Sequence, residues 1–122
     1  ETAEILGRYS DVRGVIHCFS YGPAEVNVFL DMGYFISFAG NLTYKNAGAI
    51  RDACGAVPAG RLLLETDCPY LAPVPFRGQA ADPGMVEENY KLAAELRGTN
   101  VEALREQIAA NVQELFGVAF TA

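Results

Sequence analysis

Two carboxylates and the only histidine of the chain are the residues whose types and positions are suited to chemistry. Glu65 and Asp67 follow the apolar run 62–64, and His17 follows the short run 14–16. Such runs predict buried strands, and the carboxyl ends of parallel strands share the face where α/β proteins build their sites. Histidine binds metals and acts as a base, and carboxylates are rarely buried unless they are paired or bind metal. The pattern favours a site over the alternatives, in which Asp67 accepts loop N–H groups and His17 is a satisfied core residue.

The cysteines indicate a reducing compartment. Their number, three, is odd, which argues against a disulfide framework and predicts a cytoplasmic location. Cys18 and Cys54 lie in apolar stretches, and we expect both to be small core residues. Cys68 adjoins Asp67 as a candidate ligand or nucleophile, but it has no CxxC or CxxH partner, which favours a passive role.

The composition predicts one globular domain over residues 1–122, since 51% of the residues are hydrophobic and 20% are charged. No apolar run approaches the roughly eighteen residues of a membrane span, so no membrane association is expected. The net charge of −6 excludes a basic-patch nucleic-acid binder, although bound metal ions allow an acidic protein to act on phosphodiesters. The chain opens as if inside a helix and without an initiator Met, so we expect it to be cut from a longer protein.

Short strands and helices alternate along the chain. The predicted strands are Val15–Cys18, Tyr34–Ala39 and Arg61–Thr66, and the predicted helices between them run from Pro23 to Gly33 and from Lys45 to Ala56. Three such units leave the faces and edges of a parallel sheet uncovered, which predicts dimerisation or a longer parent.

Two helices are predicted after a long loop over residues 67–82, a length that is usually functional or disordered. Asp82 is placed to cap the first of these helices, and Gly98 is placed to end it. Thr99 and Glu102 have the spacing of a capping box that opens the last helix.

The segments GVIHCFS (14–20), GYFIS (33–37), RLLLETDCPYLAP (61–73) and NVQELFG (111–117), with Gly40, Thr43 and Arg77-Gly78 between them, carry a family resemblance. The chain resembles the C-terminal half of the TatD family of metal-dependent deoxyribonucleases, from Gly14 to about Val118. The resemblance implies an α/β fold: the C-terminal portion of a TIM-type (β/α)8 barrel, with about three parallel βα units and C-terminal helices. It also implies one or two divalent ions (Mg, Mn or Zn) in the full-length parent.

The resemblance implies roles for individual residues. His17 would be a metal ligand, and Asp67 would be both a metal ligand and the catalytic carboxylate that helps deprotonate the attacking water. Glu65 would support these ligands from one pleat deeper in the strand. Arg77 would bind substrate through a phosphate, or it would be merely solvated. Thr43 and Tyr44 would line the groove or simply close the turn.

Several family features are absent from the sequence. The family's His-x-His pair, its bridging Glu and a further His precede the matched region, so the chain would carry two of the ligands and lack about four. The usual Asn after the Arg-Gly step is replaced near Ala80-Ala81, and Tyr21 occupies a position where a small residue is typical. Both departures leave the fine substrate contacts open.

These observations predict a metal-dependent phosphodiester hydrolase of TatD type. The full-length parent would cleave DNA, its partner, from the 3′ end as relatives do, and the present chain would be inactive alone. One alternative is a non-catalytic half-barrel that self-associates or binds a partner. The other is a related metal-dependent amidohydrolase that acts on a small amide or ester.

Overall fold

Three short parallel strands and five α-helices make up residues 1–119, the part of the chain described by the computed structural model. The strands are β1 (Val15–Ile16), β2 (Phe35–Phe38) and β3 (Leu62–Leu64). The helices are α1 (Thr2–Leu6), α2 (Pro23–Asp31), α3 (Gly48–Ala56), α4 (Val86–Leu96) and α5 (Val101–Phe116), with 3-10 turns at Gly40–Thr43, Ala59–Arg61 and Pro83–Met85. Within residues 1–119, no helix combines the length and apolarity needed to cross a membrane.

The sheet has the order β1-β2-β3, and both pairings are parallel. Ile36 of the central strand is opposite Ile16 on one side and Leu62 on the other. All four residues of β2 are buried, as expected for a strand covered on both faces. The predicted α/β architecture with parallel strands is therefore confirmed, and the carboxyl ends of β1 and β3 lie on either side of β2.

The core lies between the sheet and the helices. Phe19 is at its centre and packs edge-to-face against Phe29 of α2 and Phe38 of β2, with ring centroids 6.4 and 5.7 Å apart. The expected apolar stripes of the helices contribute further buried side chains, among them Val26, Cys54, Ala93, Leu104 and Ile108. Edge-to-face aromatic packing adds to the burial of apolar area, so this cluster fixes the strand ends relative to the helices.

The strands and α3 are shorter than the sequence predicts. β1 ends at Ile16 rather than Cys18, because Cys18 has a left-handed backbone (φ 49°) that turns the chain out of the sheet. Helix α3 begins at Gly48 rather than Lys45, since Ala47 N–H donates to the carbonyl of Tyr44 in a turn. Such boundary errors move no side chain to the opposite face of the sheet.

The structure confirms only some of the predictions for the ends of the last two helices. Asp82 accepts a hydrogen bond from Gly84 N–H (2.8 Å), but it caps the 3-10 turn Pro83–Met85 that precedes α4, whose own N-cap is Met85. Gly98 (φ 63°) follows the end of α4, as predicted. The capping box at Thr99 is wrong. Asn100 is the N-cap of α5, and its side chain accepts from Ala103 N–H at 2.8 Å. Asparagine caps at least as well as threonine, which explains the shift of one residue.

Candidate metal centre

His17, Glu65 and Asp67 form one cluster at the carboxyl ends of β1 and β3. One ligand atom from each residue lies within 4.8 Å of the others. Nδ1 of His17 is 3.1 Å from Oε1 of Glu65 and 3.8 Å from Oδ1 of Asp67. The His17 side chain is 70% exposed, whereas those of Glu65 and Asp67 are 22% and 26% exposed. The structure thus brings together the three strand-end residues that the sequence singles out, with the imidazole facing solvent.

Hydrogen bonds to the backbone of β2 and of the segment after β1 hold Glu65 in place. Its N–H donates to the carbonyl of Phe38 (3.0 Å), which extends the β2–β3 pairing one residue beyond β3. Its Oε1 accepts from the backbone N–H of Cys18 at 2.8 Å as well as facing the His17 ring. Glu65 therefore joins the segment after β1 to the segment after β3.

The contact between His17 and Glu65 defines which ring nitrogen is available. A carboxylate can only accept hydrogen bonds, so Nδ1 of His17 carries the proton in this pair. Nε2 is then the nitrogen left for a ligand. Metal-binding histidines commonly donate their other ring N–H to a carboxylate in this way.

Cys18 is the thiol that the structure places at the cluster, which corrects its expected position in the core. It is only partly buried, and Asp67 and Glu65 are the charged groups that act on its thiol. Burial, followed by the hydrogen bond and charge of Asp67 and the charge of Glu65, raises the pKa of the Cys18 thiol to about 11. The left-handed turn brings it there, and the sequence signalled this only through its position next to His17.

Gly40 begins the segment after β2 and lies against the long loop 67–82. A Cβ at this position would overlap the carbonyl oxygen of Leu71, so the close approach requires glycine. Thr43 Oγ1 donates to the Gly40 carbonyl (2.7 Å) and accepts from Val74 N–H (2.8 Å). Thr43 therefore closes the turn and also attaches the loop to it.

Arg77 lies on this loop, outside the three-residue cluster. Its guanidinium carbon is 4.1 Å from the centroid of the Tyr44 ring, and the Tyr44 hydroxyl donates to the carbonyl of Ala72 at 3.1 Å. Tyr44 thus supports both the loop backbone and an exposed cation. Stacking on an aromatic face limits the conformations of a long side chain without neutralising its charge.

Some residues near the site have no place in the cluster. Cys68 is exposed, although it directly follows Asp67. Tyr21 and Tyr70 are also exposed, at 62% and 74%. Sequence reasoning missed Asn89, a buried residue of α4 whose side-chain amide donates to the Glu65 carbonyl at 2.9 Å. Its only signal was a polar residue within an otherwise apolar helix face.

Comparisons with known proteins show what this chain is similar to. The sequence profile of the family described as "TatD related DNase" matches residues 1–117. The "Uncharacterized metal-dependent hydrolase YcfH" of Escherichia coli K12 is 43% identical over 111 residues, which cover 91% of this chain and 42% of YcfH. The "3'-5' ssDNA/RNA exonuclease TatD" of Klebsiella pneumoniae is 38% identical over 109 residues, which cover 85% of this chain and 41% of that protein.

Solved structures share the architecture. The crystal structure of YJJV, a TatD homolog from Escherichia coli, superposes with a TM-score of 0.89 at 32% identity and covers 96% of this chain and 46% of YJJV. A TatD family hydrolase from Entamoeba histolytica shares the fold with a TM-score of 0.79 at 20% identity, covering 93% of this chain and 45% of its own. The chain spans less than half the length of each of these relatives.

Proposed function

The chain belongs to the TatD-related DNase family, and on this premise we propose that it supplies part of the active site of a metal-dependent phosphodiester hydrolase that acts on DNA. The observation that carries the proposal is the cluster of His17, Glu65 and Asp67 at the carboxyl ends of two parallel strands. In parallel α/β folds this is the catalytic face. We further propose that the sheet is part of a (β/α)8 barrel, because β1 and β3 each have one edge without a partner strand within residues 1–119.

The donor set fits a divalent cation. An imidazole and two carboxylates, each with a ligand atom within 4.8 Å of the others, suit Mg, Mn or Zn ions. His17 and Asp67 would hold the ion. Glu65 would orient His17, because its Oε1 already accepts from Cys18 N–H and faces Nδ1.

When bound, a divalent cation supplies Lewis acidity and lowers the pKa of its water to near 7. Asp67 would accept the proton of the attacking water, since Oε1 of the other carboxylate, Glu65, already accepts from Cys18 N–H and faces His17 Nδ1. Glu65 would keep a proton on Nδ1 of His17 and so leave Nε2 to hold the ion.

Arg77 would bind a phosphate of the substrate. Its stacking on Tyr44 holds a positive charge on the loop 67–82 in a chain whose net charge is −6. An isolated fixed cation in an acidic protein is suited to orient an anionic backbone, while bound metal supplies the remaining positive charge.

The first experiment is complementation. We expect the 122-residue chain alone to leave a labelled single-stranded oligodeoxynucleotide intact, because a site with few ligands and no opposite wall does not orient substrate. Mixed with the portion of YcfH that this chain does not match, it should yield Mn²⁺-dependent cleavage that begins at the 3′ end.

Matched variants test the role of Asp67. Asp67→Asn should lower the complemented rate by roughly 100-fold or more, whereas Asp52→Asn, at an exposed carboxylate on α3, should leave it unchanged. Cleavage by Asp67→Asn at more than about a tenth of the unmodified rate would contradict the proposal. Hydrolysis of small amides or esters, but not of DNA, would instead favour an amidohydrolase.

A second candidate function is assembly without catalysis. Within residues 1–119, β1 and β3 each have one edge without a partner strand, and such an open parallel sheet tends to pair with another chain. Sedimentation of the chain at micromolar concentration separates the two cases. A stable oligomer that binds no metal would favour assembly, and a monomer would argue against it.

A further inference from the structure

Two buried asparagines bind the two ends of β3, and they differ in one informative way. Asn111 of α5 donates to the carbonyls of Ala59 (2.7 Å) and Leu62 (2.8 Å), before and at the start of the strand. Asn89 of α4 donates to the carbonyl of Glu65 (2.9 Å), just beyond its end. Both side chains are 1% exposed. A buried asparagine amide therefore binds backbone carbonyls at both ends of β3, the end followed by Glu65 and Asp67 and the opposite end.

The side-chain amide of Asn111 makes hydrogen bonds through both its nitrogen and its oxygen, whereas that of Asn89 makes one only through its nitrogen. The Oδ1 of Asn111 accepts from the Gln107 side chain at 2.9 Å. The Oδ1 of Asn89 is buried, and no donor within residues 1–119 reaches it. The amide cannot be reversed, because Oδ1 would then face the Glu65 carbonyl, another acceptor. A buried acceptor without a partner is destabilising, so the Asn89 amide carries a cost that the Asn111 amide does not.

A local departure from good packing chemistry is expected where function requires it. The backbone of Glu65 is held at both of its polar groups: its N–H donates to Phe38, and its carbonyl accepts from Asn89. Its side chain in turn meets His17 Nδ1 and Cys18 N–H. The Asn89 amide is therefore linked to His17 through one residue, Glu65, so a change in the position of the amide should also move the carboxylate that faces His17.

We propose that Asn89 is a positioning residue of the metal centre: by holding the Glu65 carbonyl, it sets the Glu65 carboxylate that selects the Nδ1-protonated form of His17. The proposal rests on the proposed function, since it assigns a role toward the same site. Asn89 does not touch the cluster itself and acts only through Glu65.

His17 is the only histidine, so its ring signals report on the site without ambiguity. At a pH where the ring is neutral, ¹⁵N spectra of the metal-free chain should show a protonated Nδ1 and a bare Nε2. Asn89→Leu should shift this balance toward the mixture of a free imidazole. Asn111→Leu is the matched control: it should lower the unfolding midpoint but leave the His17 spectrum unchanged. If Asn89→Leu does not fold, Asn89→Ala takes its place.

Metal titration provides the second measurement. Asn89→Leu should raise the Mn²⁺ dissociation constant by roughly tenfold, as expected when the support of a ligand is removed, and Asn111→Leu should leave it within about twofold. A folded Asn89 variant with an unchanged His17 spectrum would overturn the proposal, and so would equal spectral changes in both variants. If the unmodified chain binds no Mn²⁺ while the spectra change as expected, the positioning role stands and the metal function fails.

Discussion

Replacing Gly40 with alanine tests the close approach between the end of β2 and the loop 67–82. An alanine Cβ would overlap the Leu71 carbonyl oxygen and lie 3.1 Å from both the Leu71 carbonyl carbon and Pro73 N. All three atoms belong to the backbone, so no side-chain rotation can relieve the overlap. The loop must shift as a whole, and this shift would also strain the contact between Thr43 and Val74.

The expected cost follows from this geometry. Overpacking a buried position usually costs about 1–3 kcal/mol, and we expect Gly40→Ala to lie in that range. For a domain of this size, each kcal/mol lowers the melting temperature by roughly 4 °C, so the variant should melt about 4–12 °C below the unmodified chain.

Gly55→Ala is the matched control. Gly55 lies within α3, and a Cβ there would meet no atom within 4 Å. Alanine should stabilise the helix by about 0.5–1 kcal/mol and raise the melting temperature by roughly 2–4 °C. Thermal unfolding followed by circular dichroism measures both changes. A Gly40→Ala variant that melts within about 1 °C of the unmodified chain would refute the reasoning, because no cost of overpacking would then be present.

Three further predictions concern other parts of the fold. Burial raises the pKa of the Cys54 thiol to about 11. Iodoacetamide at pH 8 should therefore modify the exposed Cys68 and spare Cys54 until urea unfolds the chain, as measured by mass spectrometry. Equal labelling of both cysteines in the native chain would contradict this prediction. Arg97→Met removes two 2.7 Å hydrogen bonds to carbonyls at the end of α3. It should lower the free energy of unfolding, measured by urea denaturation, by about 2–3 kcal/mol. A loss near zero would mean that these hydrogen bonds are not made in solution. In the same urea denaturation, Asn100→Ala should lower the free energy of unfolding by about 1 kcal/mol, whereas Thr99→Ala should leave it almost unchanged. The reverse order would indicate that Thr99, and not Asn100, caps α5.

The strand-end argument succeeded because it depended only on alternation and parallel pairing. Glu65 and Asp67 follow β3 and are two residues apart, and His17 directly follows β1 of the same parallel sheet. Small errors in strand length did not affect the result. The sequence therefore predicted which residues meet, although it could not predict which nitrogen of His17 faces Glu65.

The sequence could not predict features that depend on single backbone torsions or on helix docking. Cys18 was expected in the core because its neighbours are apolar, but one left-handed residue directs its thiol to Asp67 instead. Asn89 is not singled out by the sequence, because its role depends on how α4 docks against the end of β3. Neither a torsion nor a docking angle leaves a periodic signal in the sequence.

The bonds that hold Glu65 are made by residues of this chain. The backbone N–H of Glu65 donates to Phe38, its carbonyl accepts from Asn89, and its carboxylate accepts from Cys18 N–H. A complementary portion would then add ligands and a substrate-binding wall to a site whose first three residues are already arranged. It follows that the His17 ring should show the same Nδ1-protonated form before and after complementation. A change of tautomer on mixing would mean that the site is organised by the partner rather than by this chain.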